Sequence, residues 1–165
     1  MKEYQGWPGH SMTLLAKKAN RSVLGQDYVD WAVQALTEGL DSPSFLILAG
    51  LDIGEDFPLW EAEKYFTKAV NELGLSIPDD ETILRKHLVT LLTQIQKGTV
   101  DPQMGIERIH REVVSPLEHP SDLQSWCFLW EGLNPMGNDV IPKDEYRAKI
   151  FEFAGKWLSE KGEKD

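Results

Sequence analysis

Hydrophobic residues recur along the chain every three or four positions, and this spacing predicts α-helices. No segment alternates hydrophobic and polar residues as a half-buried strand would. A glycine, the residue that most often follows a helix, ends each of the three clearest segments. These are DYVDWAVQALTEG at 27–39, FPLWEAEKYFTKAVNELG at 57–74 and PDDETILRKHLVTLLTQIQKG at 78–98.

Further helices are predicted within 101–114, 121–133 and 142–162, with a weaker one at 11–20. The expected N-caps are side chains that can accept a hydrogen bond from a first-turn amide: Asp27, Asp56, Asp101 and Ser121. The prolines that open helices are irregularly spaced, which argues against a repeat protein. We therefore expect an all-α fold, an irregular bundle of about seven or eight helices with no sheet. It forms one domain over residues 1–165, loosely ordered at 1–10, at 162–165 and in the loop 132–142.

One long apolar run, FLILAGL at 45–51, interrupts this helical pattern. It is too short to span a bilayer, which takes roughly 20 apolar residues. Asp41 or Ser42 as a cap, Pro43 after it and Gly50 at the end predict a short helix over Pro43–Ala49. Because that helix would be apolar on nearly every side, we expect it at the centre of the bundle. Replacing Leu46 or Leu48 by Asp should then unfold the protein.

The charge of the chain favours some partners over others. Its 17 Lys and Arg against 27 Asp and Glu give a net charge of −10. This disfavours nucleic acids and anionic membranes, and it favours basic protein partners, although solvated surface acids explain much of it equally well. The single cysteine, Cys127, cannot form an internal disulfide. Without a recognisable signal peptide or membrane span, we expect a cytoplasmic protein.

No motif specifies a reaction. The P-loop, the Gly-x-Gly-x-x-Gly fingerprint and the Gly-x-Ser-x-Gly elbow are all missing from the sequence. Cys127 lies among aromatic residues and is interpreted as a core residue. Glu107 and His110 have the spacing of a ferritin-like metal motif, but only one such motif occurs, so an exposed charge pair is the better interpretation. The acids from Asp52 onward do not make a calcium loop, because Phe57 stands where such a loop needs glycine.

These observations favour a protein-binding module that has no catalytic activity and needs no cofactor or metal. One version is a bacterial immunity- or antitoxin-type protein that covers a basic enzyme. The candidate partner contacts are Asp52, Glu55, Asp56 and Trp7. Trp7 lies in a Gly/Pro segment, where it either docks the N-terminus onto the bundle or anchors a partner, whereas core packing explains four of the other five tryptophans.

Two alternatives stay open. The first is an enzyme or metal protein whose site is assembled from separate helices, with His87, His110, Glu107 and the acids at 52–56 as candidates. His87 lies at the edge of an apolar stripe, and its neighbours in the sequence include no acid that would orient it. The second is a protein that binds a small apolar ligand in a pocket among the tryptophans.

Overall fold

The structure, a computed structural model, describes residues 7–132 and 142–161. Over these residues it is helical and contains no strand, as the sequence pattern predicts. The helices are α1 (Ser11–Ala19), α2 (Gly25–Thr37), α3 (Pro43–Ala49), α4 (Leu59–Glu72), α5 (Asp80–Gln96), α6 (Pro102–Ile109), α7 (Gln124–Glu131) and α8 (Lys143–Lys161).

The helices form two compact units, residues 1–80 and residues 81–165. The prediction of one domain, and of loosely ordered ends at 1–10 and 162–165, stays a prediction. Most of the loop predicted at 132–142 lies outside the described residues, as do 1–6 and 162–165. None of the described helices is both long and apolar enough to cross a membrane.

Helix α3 has the predicted bounds and caps. The Ser42 hydroxyl accepts a hydrogen bond from the Phe45 amide at 3.2 Å, Pro43 is the first helical residue, and Gly50 follows the last one. The predicted burial on nearly every side is wrong. Phe45 and Leu48 are 0% exposed, but Leu46 is 60% exposed and Ile47 is 45% exposed. The reason is that α2 and α4 pack on α3, and together they cover only one face of it.

An aromatic cluster forms the core of the first unit. The Trp31 ring lies 4.9 Å from the rings of both Phe45 and Phe66, and the Tyr28 ring lies 5.3 Å from that of Phe66. The Trp31 indole also donates a hydrogen bond to the buried Ser11 hydroxyl at 2.8 Å. This bond satisfies a buried polar group and ties α1 to α2, while the ring contacts join α2, α3 and α4.

Three of the four predicted N-caps are wrong. Asp27 lies in the first turn of α2 and accepts a hydrogen bond from the amide of Leu24, the residue before the helix, at 2.8 Å. Asp56 makes no cap to α4, which follows Pro58. Ser121 begins a short 3₁₀ turn that leads into α7. In each case an acceptor near a helix start marked the region correctly, but the cap itself lies one to three residues away.

In the second unit, the end of α6 departs from regular α-helical geometry. Asp101 caps α6 as predicted, since its carboxylate accepts from the amides of Gln103 and Met104. The helix then widens into a π-helical turn at His110–Val114, with the Ser115 amide donating to the His110 carbonyl at 2.9 Å. The predicted helix over 101–114 is therefore correct in extent, although its last turn is wider than an α-helix.

Candidate functional site

The three acids predicted as partner contacts lie together on the connection between α3 and α4. Asp52, Glu55 and Asp56 are all exposed, whereas Ile53 and Phe57 of the same connection are half-buried. A turn shapes this connection, with the amide of residue 57 donating to the carbonyl of residue 54 at 3.1 Å. The connection therefore presents its carboxylates to solvent and covers its apolar side chains.

The start of α2 holds this connection in place. A Cβ atom built on Gly25 would lie 3.1 Å from Cγ2 of Ile53 and 3.4 Å from Cδ1 of Phe57. With any larger residue at position 25, Ile53 would have to move by a few tenths of an ångström, whereas the distance to Phe57 is an ordinary van der Waals contact. Because Ile53 and Phe57 pack against Gly25, the intervening acids have a defined position on the surface of the first unit.

Among the described residues, none of the three acids forms an ion pair. Elsewhere in the first unit, Lys17 forms an ion pair with Asp27 at 2.5 Å, and Lys18 forms one with Glu63. No ion pair among the described residues includes Asp52, Glu55 or Asp56. We call these three residues the acidic surface. Its charges are not neutralised within the described chain, so they remain available to a partner.

Large apolar side chains lie exposed beside the acidic surface. Leu24, which precedes Gly25, is 67% exposed, and Leu59 and Trp60, which follow the connection, are 40% and 65% exposed. We call these three residues the apolar flank. Trp60 is the exception among the five tryptophans on helices, because Trp31 and Trp126 are fully buried and the other two are half-buried.

Trp7 is not part of this arrangement. It is half-buried and precedes α1, and its indole nitrogen is buried without a hydrogen-bond partner in the described part of the chain. No hydrogen bond or ring contact described for residues 7–132 joins it to the acidic surface. The choice between docking of the N-terminus and a partner anchor therefore stays a prediction.

An ion-pair network in the second unit supplies the acid that the sequence does not show beside His87. The Glu112 carboxylate lies 2.8 Å from Nε2 of His87, and it accepts further hydrogen bonds from Arg108 at 3.0 Å and from Arg111 at 2.9 Å. His87 lies on α5 and Glu112 on the π-helical turn, 25 positions later. The residues near His87 in the sequence do not reveal its contact with Glu112, because only the tertiary fold brings the two helices together.

The same network sets the ionisation of Glu112. Burial raises the pKa of this carboxyl, but the hydrogen bonds from His87, Arg108 and Arg111 outweigh burial and hold the pKa well below its usual range. The carboxylate is thus ionised at neutral pH and bound by three donors. An arrangement with this many internal partners is typical of structural ion-pair networks.

Glu112→Gln should therefore destabilise the protein in a pH-dependent way. At pH 7 we expect a loss of about 1–3 kcal/mol, because the donors lose a charged acceptor. A carboxyl with a lowered folded-state pKa stabilises the fold above its unfolded pKa, near 4.3, and this contribution is lost as the pH falls below that value. The loss should thus be about 1 kcal/mol smaller at pH 3.5 than at pH 7. Urea unfolding of wild type and variant at both pH values measures this.

Glu107→Gln is the matched control, because Glu107 is exposed one turn earlier on the same helix and makes no hydrogen bond or ion pair within the described residues. It should change the free energy of unfolding by no more than about 0.5 kcal/mol at either pH. An equal effect of Glu112→Gln at pH 3.5 and pH 7 would show that the carboxylate charge is not what stabilises the unit.

The predicted charge pair of Glu107 and His110 is wrong. His110 is half-buried and stacks on Trp130, with ring centroids 3.8 Å apart and planes 6° from parallel, and the His119 ring lies 5.6 Å away. Burial and the neighbouring His119 lower the pKa of His110. Over the described residues, no group of three or more His, Cys, Asp or Glu side chains could hold a metal ion. The geometry therefore gives the metal hypothesis no support.

Small clefts lie beside α7 and α8. One of about 220 Å³ is lined by Trp126, Phe153 and Trp157, and another of about 330 Å³ contains Leu129 and Phe153. Ligand pockets usually measure about 300–1,000 Å³, so the first cleft is smaller than this range and the second lies at its lower end. Trp126, which lines the first cleft, is 0% exposed. The small-ligand hypothesis therefore stays a prediction.

Cys127 is buried, and burial raises the pKa of its thiol, as expected of a core cysteine.

Comparison of the chain with protein-family models, with curated proteins and with solved structures finds no match. A function has to be inferred from the described residues themselves. Among them, the acidic surface is the arrangement that combines unpaired charge, exposure and a defined position.

Proposed function

We propose that this protein is a non-catalytic binding module whose acidic surface contacts a basic protein partner. The observation that carries this proposal is that Asp52, Glu55 and Asp56 are exposed on one connection, which packs against Gly25, and form no ion pair with any described residue. A fixed group of like charges costs folding stability through mutual repulsion, and a basic partner relieves that repulsion on binding.

The whole chain supports the same choice of partner. Its net charge of −10 attracts basic proteins over long distances and repels nucleic acids and anionic membranes. Electrostatic complementarity of this kind mainly increases association rates and selects partners. An immunity- or antitoxin-type protein that covers a basic enzyme is one version of this function. The cytoplasmic location predicted from the sequence remains part of the proposal.

Binding of a basic peptide should depend on the acidic surface. We expect a fluorescently labelled peptide that alternates arginine and serine to bind the wild-type protein, more weakly at about 300 mM than at about 50 mM NaCl. Each exposed ion pair contributes about 0.2–1 kcal/mol. The triple variant Asp52→Asn, Glu55→Gln, Asp56→Asn should therefore raise the Kd about 3- to 150-fold. Fluorescence anisotropy measures both effects.

A second triple variant removes the same charge from the other unit: Glu107→Gln, Glu118→Gln and Glu152→Gln, all at exposed positions. It should leave the Kd within about threefold of wild type, the change expected from long-range charge alone. Circular dichroism checks that both variants stay folded. Equal losses of affinity in the two triple variants would mean that net charge, and not this surface, binds the peptide, and the proposal would be abandoned.

A further inference from the structure

We propose that the segment bound by the acidic surface is amphipathic, and that it alternates arginine with large apolar side chains. This inference rests on the proposed function and specifies its partner. The apolar flank of Leu24, Leu59 and Trp60 carries it, because these three large side chains are 40–67% exposed beside the charges. A purely polar partner would leave all of them in contact with water.

The position of the flank follows from the packing described above. Ile53 and Phe57 contact the α2 backbone at Gly25, the residue after Leu24. Leu59 and Trp60 are the first two residues of α4, directly after the connection. Leu24 is therefore one residue away from the position where the connection packs on α2, and Leu59 and Trp60 directly follow the connection in the chain. We expect an occupant that binds the carboxylates to contact these apolar side chains as well.

Trp60 determines the kind of cation that we expect. Its indole is 65% exposed, and the two cations that follow on α4, Lys64 and Lys68, lie over the Tyr65 ring at 5.4 Å and 5.5 Å. No cation within the described part of the chain lies over the Trp60 ring, so this exposed ring can accept one from a partner. Arginine suits this surface better than lysine, since its planar guanidinium stacks on indole and also binds carboxylates with two hydrogen bonds.

The negative charge of the chain favours a basic segment over a second copy of the chain or an anionic membrane as the occupant of this surface. A second copy of the chain would bring a further charge of −10 to the same surface, and an anionic membrane would likewise be repelled. A basic amphipathic segment satisfies both the acidic surface and the apolar flank. Tryptophan and arginine are also the residues that most often contribute strongly at protein interfaces.

The test compares three peptides of equal length by fluorescence anisotropy. One alternates arginine with leucine, one arginine with serine, and one lysine with leucine. We expect the arginine–leucine peptide to bind wild type about tenfold more tightly than the arginine–serine peptide, and also more tightly than the lysine–leucine peptide. In the double variant Leu59→Ser, Trp60→Ser, the advantage of leucine over serine should fall below about threefold.

Met104→Ser with Phe128→Ser is the matched control, since these residues are 60% and 66% exposed in the other unit. It should keep the tenfold preference. If the double variant at Leu59 and Trp60 also keeps it, or if wild type shows none, the amphipathic partner is wrong. Salt-sensitive binding of the arginine–serine peptide, lost in the triple variant of the acidic surface, would then still support the proposed function. Wild-type affinity in that triple variant would overturn both.

Discussion

Leu48→Asp should unfold the first unit, whereas Leu46→Asp should leave it folded. Leu48 is 0% exposed on the covered face of α3, and Leu46, two residues earlier, is 60% exposed. Loss of a buried leucine side chain costs about 2–5 kcal/mol, and an unpaired buried carboxylate adds several more. This sum matches the about 5–15 kcal/mol that stabilises a typical domain. Far-UV circular dichroism and thermal unfolding of the two variants measure the difference.

The two variants control each other, because the chemical change is the same and the positions share one helix of seven residues. Leu46→Asp should alter the free energy of unfolding by less than about 1 kcal/mol. Equal unfolding by both substitutions would show that α3 is covered on all sides, as the sequence alone predicts. A folded Leu48→Asp protein would contradict the burial of that side chain.

Gly105→Ala should destabilise the second unit, although alanine is the better helix former. A Cβ atom at position 105 of α6 would lie 2.5 Å from Cδ1 and 2.6 Å from Cγ1 of Ile95. Ile95 is 1% exposed and so has no space into which to move. Overpacking of this kind costs about 1–3 kcal/mol. It should exceed the roughly 1 kcal/mol that alanine gains over glycine in a helix, and urea unfolding measures the balance.

Gly155→Ala, in the middle of α8, makes the same substitution next to a flexible side chain. Its Cβ would lie 3.1 Å from Oε1 of Gln96, the end of a long, half-buried side chain. A shift of a few tenths of an ångström relieves this contact and keeps the hydrogen bond from Nε2 of Gln96 to the Phe151 carbonyl. We expect this variant to be unchanged or up to about 1 kcal/mol more stable. If Gly105→Ala stabilised the protein to a similar degree, the close approach of α6 to Ile95 would be refuted.

Local signals in the sequence predicted the helices well. Ser42, Pro43 and Gly50 gave the bounds of α3, and the glycines after α2, α4 and α5 have the positive φ angles that favour this residue at helix ends. Each signal acts within a few residues, through a hydrogen bond or a backbone angle. The three misplaced caps show the limit of such signals, because α2, α4 and α7 begin after Leu24, Pro58 and Leu123, whose side chains accept no capping hydrogen bond.

Burial and side-chain partners could not be predicted in the same way. Which face of α3 is covered depends on where α2 and α4 lie, and the apolar run itself gives no preferred face. The contact of His87 with Glu112 and the stacking of His110 on Trp130 likewise join residues 20 or more positions apart. Asp52, Glu55 and Asp56 were named as candidate contacts from their charge and their place in the sequence, whereas the packing of this connection on Gly25 and the exposure of Trp60 needed the structure.

The apolar run of α3 has a consequence for the unfolded chain. Residues 45–51, FLILAGL, carry no charge and no proline, which is the composition of segments that assemble into cross-β fibrils. In the folded protein this stretch is helical from Phe45 to Ala49, so its backbone groups there bond to each other. Pro43 on one side and Asp52 on the other interrupt the run, as residues that limit aggregation often do. Any substitution that opens the first unit should therefore favour aggregation over reversible refolding.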